Sequence, residues 1–221
     1  MTVIVLAGMI GAGKTSYSAM LGEELGTEVF YESVEHNPVL DKFYQEPKKW
    51  AFSLQLYFLN TRFSSIKQAL YHDDNVLDRS IYEDALFTKI NHLQGNISDV
   101  DMAIYNDLLA NMMEELKGTP KKSPDLLVYL EGSFETILAH IQKRGRDFEQ
   151  VEVGDERYNY FKLLWDNYQE WYVNYDASPK MSISIDDFDI VERSEDRDVV
   201  MQLIQQKLKE VRQPAVVNIA V

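Results

Sequence analysis

Val3-Ile4-Val5-Leu6-Ala7-Gly8-Met9-Ile10-Gly11-Ala12-Gly13-Lys14-Thr15 runs from an apolar stretch into a glycine-rich turn that closes on Lys-Thr. Residues 8–15 match the phosphate-binding P-loop at every fixed position. A strand that feeds a helix through such a turn aims successive backbone N–H groups at one point. The helix N-terminus adds its partial positive charge there. Glycine is required where the backbone curls around an anion and a Cβ would intrude. Gly8, Met9, Ile10, Gly11, Ala12 and Gly13 are therefore the expected cradle for a triphosphate, Lys14 its contact to the β- and γ-phosphates, and Thr15 a ligand for Mg²⁺. Tight packing alone is the bland alternative, and it does not call for all of these letters behind a strand.

The chain has 221 residues, enough for one large α/β domain with a substantial core. Lys and Arg number 22 against 36 Asp and Glu, so the net charge is −14 and the surface repels nucleic acid and anionic membrane. A polymeric nucleic acid is thereby disfavoured as substrate, whereas a small nucleoside in a local basic pocket is not. With no cysteine, disulfides, thiol catalysis and Cys-based metal sites are excluded. The first residues carry no basic n-region and run straight into the P-loop, and no apolar run approaches membrane-spanning length. A cytoplasmic protein is expected.

Strand-like and helix-like patterns alternate outward from the P-loop, which predicts a parallel sheet flanked by helices. Strands are expected near 2–7, 28–31, 75–78, 125–130 and 181–185, with helices near 14–25, 46–70, 82–93, 99–117, 133–144, 155–175 and 195–211. In the long helix after Pro47, Phe52, Leu56, Leu59, Phe63, Ile66 and Leu70 recur at steps of three and four. Lys117 to Pro124 reads as a surface connector, and the residues from Arg212 onward read as a frayed tail. No composition break marks a second domain.

A P-loop is shared by kinases, GTPases, motors and simple nucleotide binders. The chain lacks the Asn-Lys-x-Asp tetrapeptide with which a GTPase reads guanine, and motor ATPases usually need a larger coupling apparatus. Polar residues at the expected strand ends point instead to a small acceptor substrate. Glu32 follows Val29-Phe30-Tyr31, at the carboxyl end of a strand, where open α/β sheets bind ligands. A carboxylate there can take the proton of an attacking hydroxyl, although a helix cap or loop charge would look the same. Asp78-Arg79-Ser80 closes the strand Asn75-Val76-Leu77: the acid can hold Mg²⁺, and the Arg can pair with phosphate and keep a neighbouring carboxylate ionised. Arg144-Gly145-Arg146 suits a mobile lid over polyphosphate, against the plainer reading of basic residues on a helix dipole. Gln55 and Arg62, seven residues apart, share a helix face flanked by Leu54 and Phe58, and could form a slot for a planar base. Taken alone, that face would more simply be solvated.

Together these segments resemble the deoxynucleoside kinase family, and within it the bacterial deoxyadenosine/deoxyguanosine kinases. The likeness spans essentially the whole chain. It includes Tyr44 and Pro47 ahead of Trp50-Ala51-Phe52-Ser53-Leu54-Gln55, the run Asp78-Arg79-Ser80-Ile81-Tyr82-Glu83-Asp84, and the lid-like Arg144-Gly145-Arg146-Asp147-Phe148-Glu149-Gln150. The resemblance implies a single-domain P-loop NTPase, a three-layer sandwich with a parallel sheet of about five strands and an Arg-rich lid near 144–154. It implies transfer of the γ-phosphoryl group of ATP to the 5′-hydroxyl of a deoxynucleoside, a purine by the matched Asp84, in nucleotide salvage. Glu32 would take the proton, Arg79 would orient that site, and Lys14, Thr15 and Asp78 would serve the triphosphate and Mg²⁺. Tyr44 and Glu149 would bind the sugar 3′-hydroxyl, Gln55 the base edge, Arg62 with Asp84 the far side of the base, and Arg144 and Arg146 the phosphates.

Two positions depart from the family pattern: Ser33 stands where many animal relatives have Pro, and Phe148 where some carry a second acid. The helix near 99–117 carries Met102, Tyr105, Leu109, Met112, Met113 and Leu116, a stripe wide enough for a two-fold interface. The resemblance implies a dimer, of two copies or with a related kinase subunit. Two rivals stand beside this reading. A nucleoside monophosphate kinase of the thymidylate kinase type shares the P-loop and the Asp-Arg pair, but it needs extra basic groups for the acceptor phosphate, and Glu32 suits a bare hydroxyl better. The other is a nucleotide-binding protein without turnover.

Overall fold

The computed structural model describes residues 3–32, 34, 36–71, 75–116 and 124–212. Its centre is β1 (Val3–Ala7), five apolar residues that are all buried. Such a run, without polar alternation, needs cover on both faces and neighbours on both edges. β1 has both: β3 (Asn75–Asp78) pairs with it on one side and β4 (Leu126–Glu131) on the other, each parallel. β2 (Val29–Phe30) and β5 (Lys180–Ser184) complete a five-stranded parallel sheet in the order β2-β3-β1-β4-β5.

Because every strand points the same way, the residues after each strand gather at one rim. The chain leaves β1 toward β2 and β3, then crosses to β4 on the far side of β1. The crevice that forms where strand order reverses is where open α/β sheets take ligands. The P-loop lies there after β1, Glu32 after β2 and Asp78-Arg79 at the end of β3.

Helices cover the sheet. α1 (Lys14–Leu25) starts from the P-loop, α3 (Pro47–Ala69) and α4 (Ile81–Leu93) pack on one another, and α5 (Asp99–Leu116) lies against both. α6 (Phe134–Arg144), α7 (Glu156–Asn174) and α8 (Ser194–Arg212) follow β4 and β5. Pro47 occupies the first turn of α3, where its missing N–H costs nothing. Ser80 caps α4 in a reciprocal capping box with Glu83, and Ser133 caps α6.

Several expected boundaries move. The second strand is only Val29–Phe30, not 28–31, so Tyr31 and Glu32 are already in the loop at the rim. A short helix, α2 (Leu40–Gln45), precedes α3, and a 3₁₀ turn (Asp147–Glu149) lies within the expected lid; neither has the length from which periodicity can be read. Most of the connector at 117–124, together with Ser33, residue 2 and the tail beyond Arg212, falls outside the described residues.

The long helix buries more than its apolar stripe. Leu59 is fully buried with Ile81 and Tyr105, and Phe52, Leu56 and Ile66 pack around them. A second face carries Ala51, Leu54, Gln55 and Arg62 inward, so the polar pair is not solvated: Gln55 and Arg62 are 2% and 3% exposed. On α5, Tyr105 is fully buried, and Leu109, Met112 and Met113 pack beside it against α3 and α4. Much of the stripe is therefore covered by this chain's own helices, whereas Val100 and Ile104 are exposed. Leu59→Ala should cost about 3 kcal/mol of unfolding free energy through the cavity it opens. Urea denaturation checks this, and a loss below about 1 kcal/mol would show that α5 collapses into the space.

Candidate active site

A cavity of about 920 Å³ opens along the carboxyl rim of the sheet. It runs from the P-loop, past Glu32, Asp78 and Arg79, to Gln55 and Asp84 on the floor and Tyr44 and Glu149 at the side, with Arg144 and Arg146 over it. Of the residues singled out in the sequence, Gly8 and Met9 at the start of the loop do not line it, and neither does Arg62. Its guanidinium lies behind the wall.

The P-loop is built as its glycines require. Gly8 has φ of +149°, and a Cβ on it would stand 2.8 Å from the Leu130 carbonyl oxygen. Gly11, at φ +86°, would meet Ile137 O at 2.9 Å. The Lys14 ammonium donates to the carbonyls of Gly8 at 2.7 Å and Met9 at 3.0 Å, folding back over its own loop. Burial, then the Arg79 charge, pull its pKa down to about 8 against the opposing pull of Asp78, Glu83 and Glu32. Thr15 Oγ1 donates to Asp78 Oδ2 at 2.9 Å. Asp78 Oδ1 is buried without a hydrogen-bond partner, and burial raises this carboxyl above its usual range. A buried, unpartnered carboxylate oxygen beside a threonine hydroxyl can hold a hard cation. Among the described residues, no group of three or more His, Asp or Glu forms a metal cage. A cation here would thus lean on phosphate oxygens and water.

Glu32 is held from two sides. Arg79 Nε lies 2.7 Å and Arg62 Nη2 3.0 Å from the same oxygen, Oε1. Among the described residues no hydrogen bond falls on Oε2, and the side chain is 18% exposed and lines the cavity. Burial pushes the carboxyl up, but Arg79, Arg62 and Lys14 together outweigh it, and the net pKa is lowered. The group is an ionised acceptor at neutral pH.

Arg79 is itself strained into place. At φ +86° it is the one described non-glycine residue in the left-handed region, a conformation that costs a side chain about 1 kcal/mol. Its N–H still donates to Leu6 O at 2.9 Å, which extends the β1–β3 ladder, while the guanidinium turns back over the Phe87 ring, 4.7 Å from its centroid. Arg79 Nη1 donates to Tyr168 Oη at 2.7 Å and to Glu83 Oε1 at 3.3 Å.

Behind the floor, Arg62 also donates to Asp78 O at 2.7 Å and pairs with Asp84 Oδ2 at 3.3 Å. Burial pushes the Asp84 carboxyl up to about 6, with Arg62 opposing. Thr88 Oγ1 donates to Asp84 O at 2.8 Å and lies 3.4 Å from Gln55 Oε1. The Gln55 amide is therefore steadied on its oxygen side at the cavity floor. Tyr44 stacks on Phe148 with ring centroids 5.5 Å apart, and the Arg157 guanidinium lies over the Tyr44 ring. Phe148, the apparent departure in the lid, is thus packed against the very tyrosine that the resemblance assigned to the sugar. Arg144 and Arg146 both pair with the buried Glu149, the latter at 3.3 Å. The arginines of the expected lid and the expected sugar acid form one cluster.

Some lining residues carried no signal in the sequence. Tyr160 and Phe87 wall the end near Gln55, while His140, Lys143 and residues 188–191 surround the end near the P-loop. Glu83 could have been found, because Ser80-x-x-Glu83 is a capping-box pattern, though nothing in it announces contacts beyond the helix.

A P-loop facing an ionised carboxylate across one cavity defines a nucleotide-dependent phosphotransferase. The comparisons with known proteins narrow this. Residues 4–209 match the deoxynucleoside kinase family. The chain is 54% identical to a deoxyguanosine kinase of Lactobacillus johnsonii, over 95% of this chain and 94% of that one. It is 46% identical to a deoxyadenosine kinase of Lactobacillus acidophilus, over 95% and 97%. A deoxyadenosine kinase structure from M. mycoides with bound dATP superimposes with a TM-score of 0.77 at 31% identity, covering 92% of this chain and all of that one. The chain belongs to the deoxynucleoside kinase family and is an ATP-dependent enzyme.

The Lys14 ammonium should set the alkaline limit of ATP capture. Its lowered pKa means that the charge is present below about 8 and lost above it. Because kcat/KM reports groups of the free enzyme, kcat/KM for ATP should be level below that pH and fall about tenfold per unit above it. A profile measured at subsaturating ATP that stays level to pH about 9.5 would contradict the assignment.

Proposed function

We propose that the chain phosphorylates a purine deoxynucleoside at its 5′-hydroxyl, with ATP as donor, in cytoplasmic nucleotide salvage. The relatives named as deoxyguanosine and deoxyadenosine kinases support the purine. One observation carries the reading: an ionised Glu32 and the Lys14 ammonium line the same cavity, with floor space toward Gln55 and Asp84 for a base.

In this reading the nucleoside lies with its base over Gln55, its 3′-hydroxyl at Tyr44 and Glu149, and its 5′-hydroxyl at Glu32. Oε1 stays with the two arginines while Oε2 accepts the proton of the attacking hydroxyl. Lys14, released from the Gly8 and Met9 carbonyls, turns to the β- and γ-phosphates, and the P-loop N–H groups hold the anion in line. Arg144 and Arg146 exchange part of their pairing with Glu149 for phosphate oxygens, which links lid closure to occupancy of both halves. Thr15 and Asp78 would hold Mg²⁺, whose chemistry is to neutralise charge on the donor phosphates. Catalysis is then largely positioning and electrostatics.

Arg62 takes a supporting place in this scheme, fixing Glu32 and Asp84 from behind rather than touching the base. We take the chain as one catalytic domain with a lid near 144–154. Exposed Val100 and Ile104 on α5 and Leu93 at the end of α4 are the apolar surface that favours association with a second copy or a related subunit. No helix among the described residues is long and apolar enough to cross a membrane.

Glu32→Gln should bind ATP and deoxynucleoside almost normally and lose about 100- to 10,000-fold in kcat. Parental turnover in this variant would remove the general-base role. Gln55→Ala should raise KM for deoxyguanosine or deoxyadenosine about tenfold and leave KM for ATP within about twofold. Equal loss toward both substrates would argue against the base slot. A direct comparison of deoxyadenosine with its monophosphate as acceptor separates this enzyme from a monophosphate kinase, which would consume the monophosphate faster.

A further inference from the structure

Glu83 is the most deeply buried carboxylate of the site region, with no exposed surface, and it does not line the cavity. A helix cap needs only one or two donors, usually within its own turn. Glu83 has more. Oε2 accepts from the Ser80 N–H at 2.8 Å, which is the cap. Oε1 accepts from the Gly8 N–H at 3.0 Å, from Tyr168 Oη at 2.9 Å and from Arg79 Nη1 at 3.3 Å. Those three donors come from the P-loop, from α7 and from the end of β3, which are 75, 85 and 4 residues away in sequence.

The two ends of this junction lie on opposite sides of the reaction. Gly8 is the first residue of the loop that holds the donor phosphates, and a side chain has no room there, since a Cβ would meet Leu130 O at 2.8 Å. Arg79 carries the guanidinium that holds Glu32, and its backbone is in the left-handed region. One carboxylate oxygen therefore ties the donor loop to the group that aims the acceptor's base. We propose that Glu83 is a positioning residue: through Gly8 and Arg79 it fixes the distance between the P-loop and the Glu32 carboxylate, and Tyr168 locks it in that role. It touches neither substrate. Its charge also balances Arg79, so that the guanidinium is not drawn wholly onto Glu32.

The proposal rests on Glu32 as proton acceptor, and it makes a distinct prediction. Charge-assisted hydrogen bonds to a buried group are stronger than neutral ones, and proximity effects are steep in misplacement. Glu83→Gln keeps the shape but puts an amide NH₂ against either the Oε1 donors or the Ser80 N–H. Its kcat per folded molecule should fall about 10- to 100-fold, with KM for ATP and for deoxynucleoside each within about threefold of the parent. A purely structural cap would do otherwise: the melting temperature would drop while kcat per folded molecule stayed at the parental value, and that result would overturn the proposal. So would a tenfold rise in KM with kcat retained, roughly the pattern for loss of uniform binding.

Should Glu83→Gln fail to fold, Tyr168→Phe decides, because it removes only one hydroxyl from the junction. Its kcat should then fall about three- to tenfold, and an unchanged kcat would overturn the lock. Glu32→Gln, measured in parallel, separates the two ideas. If it keeps parental turnover, the general-base reading fails; a loss confined to Glu83→Gln would then be assigned to the P-loop arm through Gly8.

Discussion

The site depends on a carboxylate shared by two guanidiniums. Burial alone would raise the pKa of Glu32 and cost it the charge that its proposed role as proton acceptor needs. Arg79 and Arg62, both 3% exposed, reverse that, and each is in turn held by other acids: Arg62 by Asp84, Arg79 by Glu83. A buried cluster of this kind is costly unless every member is paired, and here each charge has a partner of opposite sign within about 3.3 Å. The arrangement sets the charge and the direction of the proposed proton acceptor at once, since both arginines approach the same oxygen and no hydrogen bond among the described residues falls on the other.

The sheet makes this possible. In a parallel sheet the carboxyl ends of β1, β2 and β3 are adjacent, so residues 8–15, 32 and 78–79 converge without any long excursion of the chain. The proposed lid comes from the far side, where α6 ends at Arg144 and Gly145 turns the backbone left-handed at φ +70°. A protein with a net charge of −14 thereby presents Lys14, Lys143, Arg144 and Arg146 around one cavity. The acidic surface discourages polyanions in general, while the pocket is open to a single triphosphate.

How much of this could be read from the letters depended on whether a role is local. The P-loop was legible because an anion nest needs consecutive residues, and Arg79 was legible because it sits one step past an apolar strand. Gln55 and Arg62 were harder. Their spacing placed them on one face, but only the packing of α3 on α4 shows that the face is buried, and only the ion pairs place Arg62 behind the cavity wall. α2 and the 3₁₀ turn are too short for any period. The hydrogen bond between Glu83 and Tyr168 joins elements 85 residues apart, and no local pattern encodes that. Phe148 looked like a lost lid charge, yet in three dimensions it is a ring stacked on Tyr44.

For the proposed reaction, the open oxygen of Glu32 must face the acceptor hydroxyl while the P-loop holds the donor. A crystal structure of the ternary complex with deoxyguanosine and a non-hydrolysable ATP analogue tests it most directly. The 5′-oxygen should lie within about 2.6–3.2 Å of the Glu32 carboxylate, with Arg79 still on the opposite oxygen. A 5′-oxygen more than about 6 Å from that carboxylate, too far for even one bridging water, would contradict this placement.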